Sequence, residues 1–302
     1  MARSRDRRAA TRSPVFGGRT ANAEFEALTG LSTRFLPPGS IPYQQYVKRP
    51  MESVASVFRD QGYRTVAVHN FRRRFWNRDR VYPNLGFDEY VSLEDLQEVP
   101  LEFGWPSDAA VFDRVERILA ETDRPTFVFA VTVATHGPYV GGGLRPTVSL
   151  VNPPRPDLVE PMSVYASKLA LLDRHFGDFV TRIELLTAPP IVVAFGDHLP
   201  SVAAGALEPD SASGLPRSRM VEALILGGAQ GVTEAEPRSL NCLGPEILRL
   251  ADIQPPPFFR FVENLCLEKP VVTPLRTAID DDATLDGYRW LSYDRLFGAG
   301  YS

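Results

Sequence analysis

The chain has 302 residues, 44% apolar and 23% charged, and its 33 basic and 37 acidic residues leave a net charge of −4. A prior of ~150 residues per domain allows about two domains or one large α/β domain, and the composition excludes a disordered chain. Mild acidity argues against a nucleic-acid partner or a basic membrane-surface protein, and the best apolar run, Phe127 to Ala134, falls short of the ~18 residues of a membrane helix.

In chain order, Arg3, Arg5, Arg7, Arg8 and Arg12 stand against one acid, Asp6, with no apolar stretch after them. Residues 1–13 therefore read as a flexible basic tail, not a signal peptide. A helix is predicted at about 22–30 and another at 51–61, followed by a strand from Tyr63 to Val68. Residues 107–121 carry a helical pattern, and Thr126 to Val133 a second strand. A proline-rich loop then runs from Gly137 to Glu160. In the long helix predicted at 162–186, Leu169, Leu172, Phe176, Phe179 and Ile183 recur at three- and four-residue spacing. Strands at Ile191–Phe195 and Val221–Leu226 and a helix at 241–251 complete the pattern. The proline clusters Pro37-Pro38, Pro153-Pro154, Pro189-Pro190 and Pro255-Pro256-Pro257 are expected in loops.

The strand runs are short, β-branched and nearly all apolar, as in strands buried on both faces. Their alternation with helices predicts an α/β fold, a mostly parallel central sheet with helices on both faces. Such sheets bind ligands beyond the carboxyl ends of their strands. Three of the four histidines stand there: His69 after the first strand, His136 after the second, and His198 in Gly196-Asp197-His198 after the third. His175, inside the long helix, is expected to be structural.

A carboxylate and an imidazole adjacent at a strand end, Asp197 and His198, can both reach one divalent cation, although most such pairs are plain loop residues. His136 opens the proline-rich loop and reads equally as a substrate contact or an ordinary loop histidine. Most of Arg72, Arg73, Arg74 and Arg80 form a solvated charged face. Arg78, wedged between Asn77 and Asp79 beside Trp76, is the one that could clamp a phosphate bidentately. Thr20 follows Gly17-Gly18-Arg19 and precedes the first helix; from the residues alone its hydroxyl reads as a helix cap. Cys242 and Cys266 exclude a disulfide scaffold and a multi-cysteine zinc site; they either pair or, the commoner case, are both buried thiols. Thirty of the 33 basic residues are arginine, which favours anionic ligands where they cluster.

Together, Gly18-Arg-Thr-Ala-Asn-Ala-Glu-Phe25, Phe75-Trp-Asn-Arg-Asp79, Thr135-His136 and Gly196-Asp-His198 resemble phosphoglycerol transferases of the lipoteichoic-acid synthase type. These belong to the sulfatase-like branch of the alkaline phosphatase superfamily. The resemblance runs from about residue 14 to Tyr293-Asp-Arg-Leu-Phe297, which makes 14–302 one catalytic domain with that fold.

The resemblance implies a threonine nucleophile at Thr20 that also touches a metal, and metal ligands at Asp197 and His198. It also implies substrate contacts at His136, Arg78, Trp76 and His69. The implied cofactor is a divalent metal, manganese first, with magnesium, zinc or calcium as alternatives. The implied partners are an anionic phospholipid donor and a polyol or glucan acceptor, met at the outer face of the cytoplasmic membrane. The family's further glutamate ligand, its first strand and its membrane helices have no counterpart before Thr20. The expectation is thus an N-terminally truncated domain, soluble as written. Phe71 stands where relatives can carry an acid. A formylglycine sulfatase fits less well, because neither cysteine and no serine lies in a Cys/Ser-x-Pro-x-Arg setting. A hydrolase on the same fold and a non-catalytic binding module are the alternative functions.

Overall fold

The computed structural model describes residues 7–141, 143–151, 155–205, 217–227, 238–272 and 283–298. The chain opens with strand β1 (Arg7–Arg12) and helices α1 (Thr20–Thr29), α2 (Pro42–Gln45) and α3 (Val54–Asp60). Strand β2 (Arg64–His69), helix α4 (Arg78–Asn84) and strand β3 (Glu89–Val91) follow. The small strands β4 (Leu101–Glu102) and β5 (Trp105–Pro106) form a hairpin, before helix α5 (Ala109–Ala120), strand β6 (Thr126–Val131) and helix α6 (Val159–Ile183). Strands β7 (Val192–Phe195), β8 (Met220–Leu226) and β9 (Arg238–Ser239) precede helices α7 (Leu243–Leu250), α8 (Pro257–Glu268) and α9 (Ala283–Phe297).

The α/β class holds, but the sheet is divided. Strands β3-β2-β6 form an all-parallel sheet. Strands β7-β8-β1-β9 form a second, in which β8 runs antiparallel to both β7 and β1. Strand β2 alternates as its sequence requires. Val66 and Val68 pack under Val111, Val115 and Ile118 of α5 and Phe179 and Ile183 of α6. Ala67 faces Phe25 and Leu28 of α1, Tyr82 of α4 and Leu85 just after it. The result is a helix layer on each face of the parallel sheet.

Local chemistry sets several boundaries. Ser53 and Ser56 exchange side-chain and backbone bonds as a capping box at the start of α3. Gly86, at φ +87°, passes so close to that cap that a Cβ would lie 2.6 Å from Ser56 Cα.

Three expectations need correction. Arg7–Arg12 is not a tail: it pairs with β8 from Arg7↔Ile225 to Arg12↔Met220 and with β9 on its other edge. A sequence of three arginines, two alanines and a threonine carries little strand propensity; tertiary pairing decides it. Residues 1–6 lie outside the described residues. Pro257 does not lie in a loop; it starts α8, where a proline costs no helical bond. Cys242 and Cys266, both buried, are not thiols but a disulfide closing a separation of 24 residues.

The strands β6 and β7 are also less buried than their apolar runs imply. Each is the last strand of its sheet, and each is only half-buried along most of its length. Both line one cavity of about 1910 Å³ that separates the two sheets. Among the described residues, no helix is long and apolar enough to cross a membrane.

Candidate active site

Gly17, Gly18 and Arg19 all adopt positive φ, at 71°, 145° and 68°. This turn delivers Thr20 as the first residue of α1 rather than as its cap, which falls to Arg19 without a side-chain bond. The Thr20 hydroxyl instead donates to Asp197 Oδ2 at 2.6 Å. A capping threonine would have turned back to its own helix. The loop before it is fastened to the loop after β7. Ser13 Oγ donates to the Asp197 carbonyl, and Gly17 N donates to the Leu199 carbonyl at 2.9 Å. A Cβ at Gly17 would stand 3.2 Å from Ser201 Cβ in a backbone region only glycine occupies easily.

Asp197 Oδ1 accepts from the His198 amide at 2.8 Å, which leaves Oδ2 to face both Thr20 Oγ1 and, at 3.2 Å, His198 Nε2. His198 Nδ1 lies 3.0 Å from the Leu199 carbonyl. A carbonyl only accepts, so Nδ1 carries a proton and Nε2 is directed at the carboxylate. Two lone-pair atoms 3.2 Å apart need positive charge between or beside them, either a proton or a cation. The donors Thr20, Asp197 and His198 fit a divalent ion as an open set of hydroxyl, carboxylate and imidazole. Among the described residues no group of three His, Cys, Asp or Glu side chains converges to close such a site.

His136 follows β6 on a well-supported turn and is exposed to the cavity. Asp108, buried before α5, accepts on Oδ1 from Val133 N at 2.9 Å, Ala134 N at 3.0 Å and Asn70 Nδ2 at 2.8 Å. Burial pushes the Asp108 carboxyl up from its usual range. Trp105 Nε1 donates to the Gly137 carbonyl at 2.9 Å, and buried Lys168 donates to the His136 carbonyl at 2.5 Å. Asp108, Trp105 and Lys168 carry no motif that marks them in the sequence.

Arg78 is placed differently from the expected clamp. It is 1% exposed, and its guanidinium forks onto Glu24, with Nε 3.3 Å from Oε2 and Nη2 on Oε1. Its Nη1 donates to the Phe75 carbonyl, and Tyr82 OH donates to Glu24 Oε2 at 3.0 Å. The Arg78 charge holds the Glu24 carboxyl below its usual range. Arg78 still lines the cavity wall, but with its charge compensated. The partner that sequence reading missed, Glu24, lies one turn after Thr20 on α1, and no local signal in the sequence joins it to Arg78, 54 residues on.

His69 is buried against the same pair. Its Nδ1 donates to the Val131 carbonyl at 2.9 Å, and burial followed by the Arg78 charge pushes its pKa down to about 4. It is therefore neutral at pH 7. Trp76 is half-buried on the cavity wall, and it and Asn77 both take left-handed backbone angles. His175 stands apart, 2.9 Å from Glu102 Oε1, as a structural contact.

The cavity thus gathers Thr20, His136, Asp197 and His198, with His69, Trp76 and Arg78 on its wall. The Sulfatase family model matches residues 2–253. A Rhizobium meliloti (strain 1021) protein named for cyclic beta-1,2-glucan modification is 40% identical over 189 residues, 62% of this chain and 30% of that one. The Streptococcus pyogenes phosphoglycerol transferase GacH, solved in complex with sn-glycerol-1-phosphate, superposes at TM-score 0.78 with 20% identity, over 98% of this chain and 78% of that one. The lipoteichoic acid synthase LtaP from Listeria monocytogenes superposes at 0.64 with 18% identity, over 82% of this chain and 64% of that one. The chain spans about a third of the length of the curated relatives it matches. With residues 2–253 matched by its model, the chain belongs to the sulfatase family.

Proposed function

We propose that this domain transfers a glycerophosphate group from a phospholipid-type phosphodiester donor, with Thr20 as the nucleophile. The observation that carries this reading is the 2.6 Å bond from Thr20 Oγ1 to Asp197 Oδ2 at the first turn of α1. Asp197 holds the hydroxyl proton, which aims an oxygen lone pair into the cavity. The amino end of a ten-residue helix places positive potential where a phosphoryl group would sit. Thr20 Oγ1 bonds to phosphorus, the bond from phosphorus to the diacylglycerol oxygen breaks, and that oxygen takes up a proton. An acceptor hydroxyl then attacks the phosphothreonine, gives up its proton, and Thr20 regains its own. His136, exposed beside this path, is placed to hold a nonbridging oxygen of the substrate.

Thr20, Asp197 and His198 would hold a divalent cation, manganese as the first candidate. When bound, it lowers the hydroxyl pKa and draws charge from the phosphoryl oxygens. The likeness to a transferase solved with sn-glycerol-1-phosphate supports the glycerophosphate group. The printed name of the Rhizobium relative supports a glucan among the candidate acceptors, beside glycerophosphate polymers and other polyols.

The test is release of diacylglycerol from phosphatidylglycerol by the purified domain with manganese. Thr20→Ala abolishes release; a variant as active as the parent overturns the reading. Analysis of products with and without a polyol separates transfer from hydrolysis, which shares the same intermediate. One observation favours a non-catalytic binding module instead: among the described residues, one carboxylate and one imidazole gather at Thr20 and no third ligand of that kind joins them. No manganese binding by calorimetry at millimolar metal would support that alternative.

A further inference from the structure

The wall of the cavity that holds Thr20 carries a run of aromatic rings. Phe71 follows β2, Phe75 opens the turn before α4, and Trp105 projects from the β4-β5 hairpin. Phe71 packs edge-on against Phe75 at 5.1 Å between ring centres and tilts against Trp105 at 5.6 Å. Trp105 in turn meets the His136 ring at 5.1 Å. All three line the cavity that holds Thr20 and Asp197. Phe75 is 45% exposed, and Phe71 and Trp105 are half-buried. The Trp105 indole is fixed by its bond to the Gly137 carbonyl, so ordering it costs a ligand little entropy.

From this wall we propose that Phe71, Phe75 and Trp105 form an acceptor subsite that stacks a neutral pyranose ring beside Thr20. The inference rests on the transferase reading above and adds the acceptor's class. A sugar ring presents a face of C–H bonds polarised by neighbouring oxygens, and such a face packs on the electron-rich face of an aromatic ring. A polyanionic acceptor would instead need free cations facing the rings, and the exposed Arg72 and Arg74 beside Phe71 and Phe75 are not among the residues that line the cavity. Arg78 is forked onto Glu24, Arg73 is paired through its guanidinium with Asp95, Lys168 is bonded to the His136 carbonyl, and His69 is neutral. Arg19, exposed in the cavity next to Thr20, stands where the transferred phosphoryl group needs it. With a pyranose seated on the rings, a ring hydroxyl faces the phosphothreonine while the apolar face is shielded from water.

The test compares glycerophosphate delivered to a neutral β-glucan oligosaccharide with that delivered to water in the same assay. Phe75→Ala and Trp105→Ala lower this ratio by about tenfold. The ratio reads only folded, active protein, and Phe75 is exposed enough that its loss leaves the core intact. Separately, the oligosaccharide is titrated into Thr20→Ala protein, following tryptophan emission; the change is lost when Trp105→Ala is added. An unchanged ratio, a preference for glycerol phosphate oligomers, or an emission change that survives Trp105→Ala overturns the subsite. Absence of any Thr20-dependent turnover alongside a Trp105-dependent emission change overturns the transferase reading and leaves the sugar subsite standing.

Discussion

Thr20 and Asp197 are 177 residues apart in sequence and 2.6 Å apart at Oγ1 and Oδ2. Asp197→Asn keeps the shape and the bond from the His198 amide but removes the charge that holds the Thr20 proton and directs His198 Nε2. Donor turnover is expected to fall by about 100-fold or more, with loss of manganese binding by calorimetry. A variant that keeps both would show that Asp197 only packs the turn.

The pair of Arg78 and Glu24 makes a stability prediction. Glu24→Gln leaves a guanidinium 1% exposed without its counter-charge, a change that costs about 3–5 kcal/mol. Replacing both, as Glu24→Gln with Arg78→Met, recovers most of the loss, because no isolated charge remains buried. Urea unfolding of the three proteins decides this. The wild-type pair also has a pH signature. The folded-state pKa of Glu24 is depressed, so the pair's stabilisation is present above the ordinary 4.5 and is lost as pH falls through the depressed value.

Much of this architecture is legible in the sequence because period and burial agree. The strands at β2, β6, β7 and β8 and the helices at α3, α5, α6 and α7 announce themselves by apolar runs and helical spacing. A strand end points to Asp197 and His198, whereas Thr20 reads from its residues as a helix cap and is singled out only by the family resemblance. Pairings made at long range are hidden. Strand β1 is an arginine-rich hexapeptide that forms because β8 and β9 offer it two edges. The fate of Arg78 depends on Glu24, 54 residues away, and nothing in either segment records the meeting. The Cys242–Cys266 bond and the support of the His136 turn by Asp108 and Lys168 are contacts of the same kind.

Glu26 gives a pH dependence of opposite sign. It is fully buried on α1, and its Oε1 accepts from Thr33 N at 2.7 Å and Thr33 Oγ1 at 2.8 Å. Burial nevertheless pushes its pKa up from 4.5 to about 7. A raised folded-state value means that this carboxyl's stabilisation is complete below pH 4.5 and is lost as pH rises through 7. Glu26→Gln is expected to remove that loss. Its stability relative to wild type should improve by up to about 3 kcal/mol between pH 4 and pH 8. Unfolding curves at the two pH values check this, and a pH-independent difference would place the Glu26 pKa near its ordinary value.

The divided sheet predicts a pattern of amide exchange. Strand β2 is bonded on both edges, to β3 and to β6. Among the described residues, strand β6 is bonded to β2 alone and β7 to β8 alone, and both strands line the cavity. Alternate amides along a strand point to opposite edges, so in β6 and β7 every second amide lacks a ladder partner among the described residues. Hydrogen exchange followed by NMR should find the interior amides of β2 slow at every position. Thr126–Val131 and Val192–Phe195 should alternate between slow and fast, by about 100-fold or more. Uniform protection along β6 and β7 would mean that the two edges are bridged in solution, and the cavity between the sheets would then be filled by polypeptide.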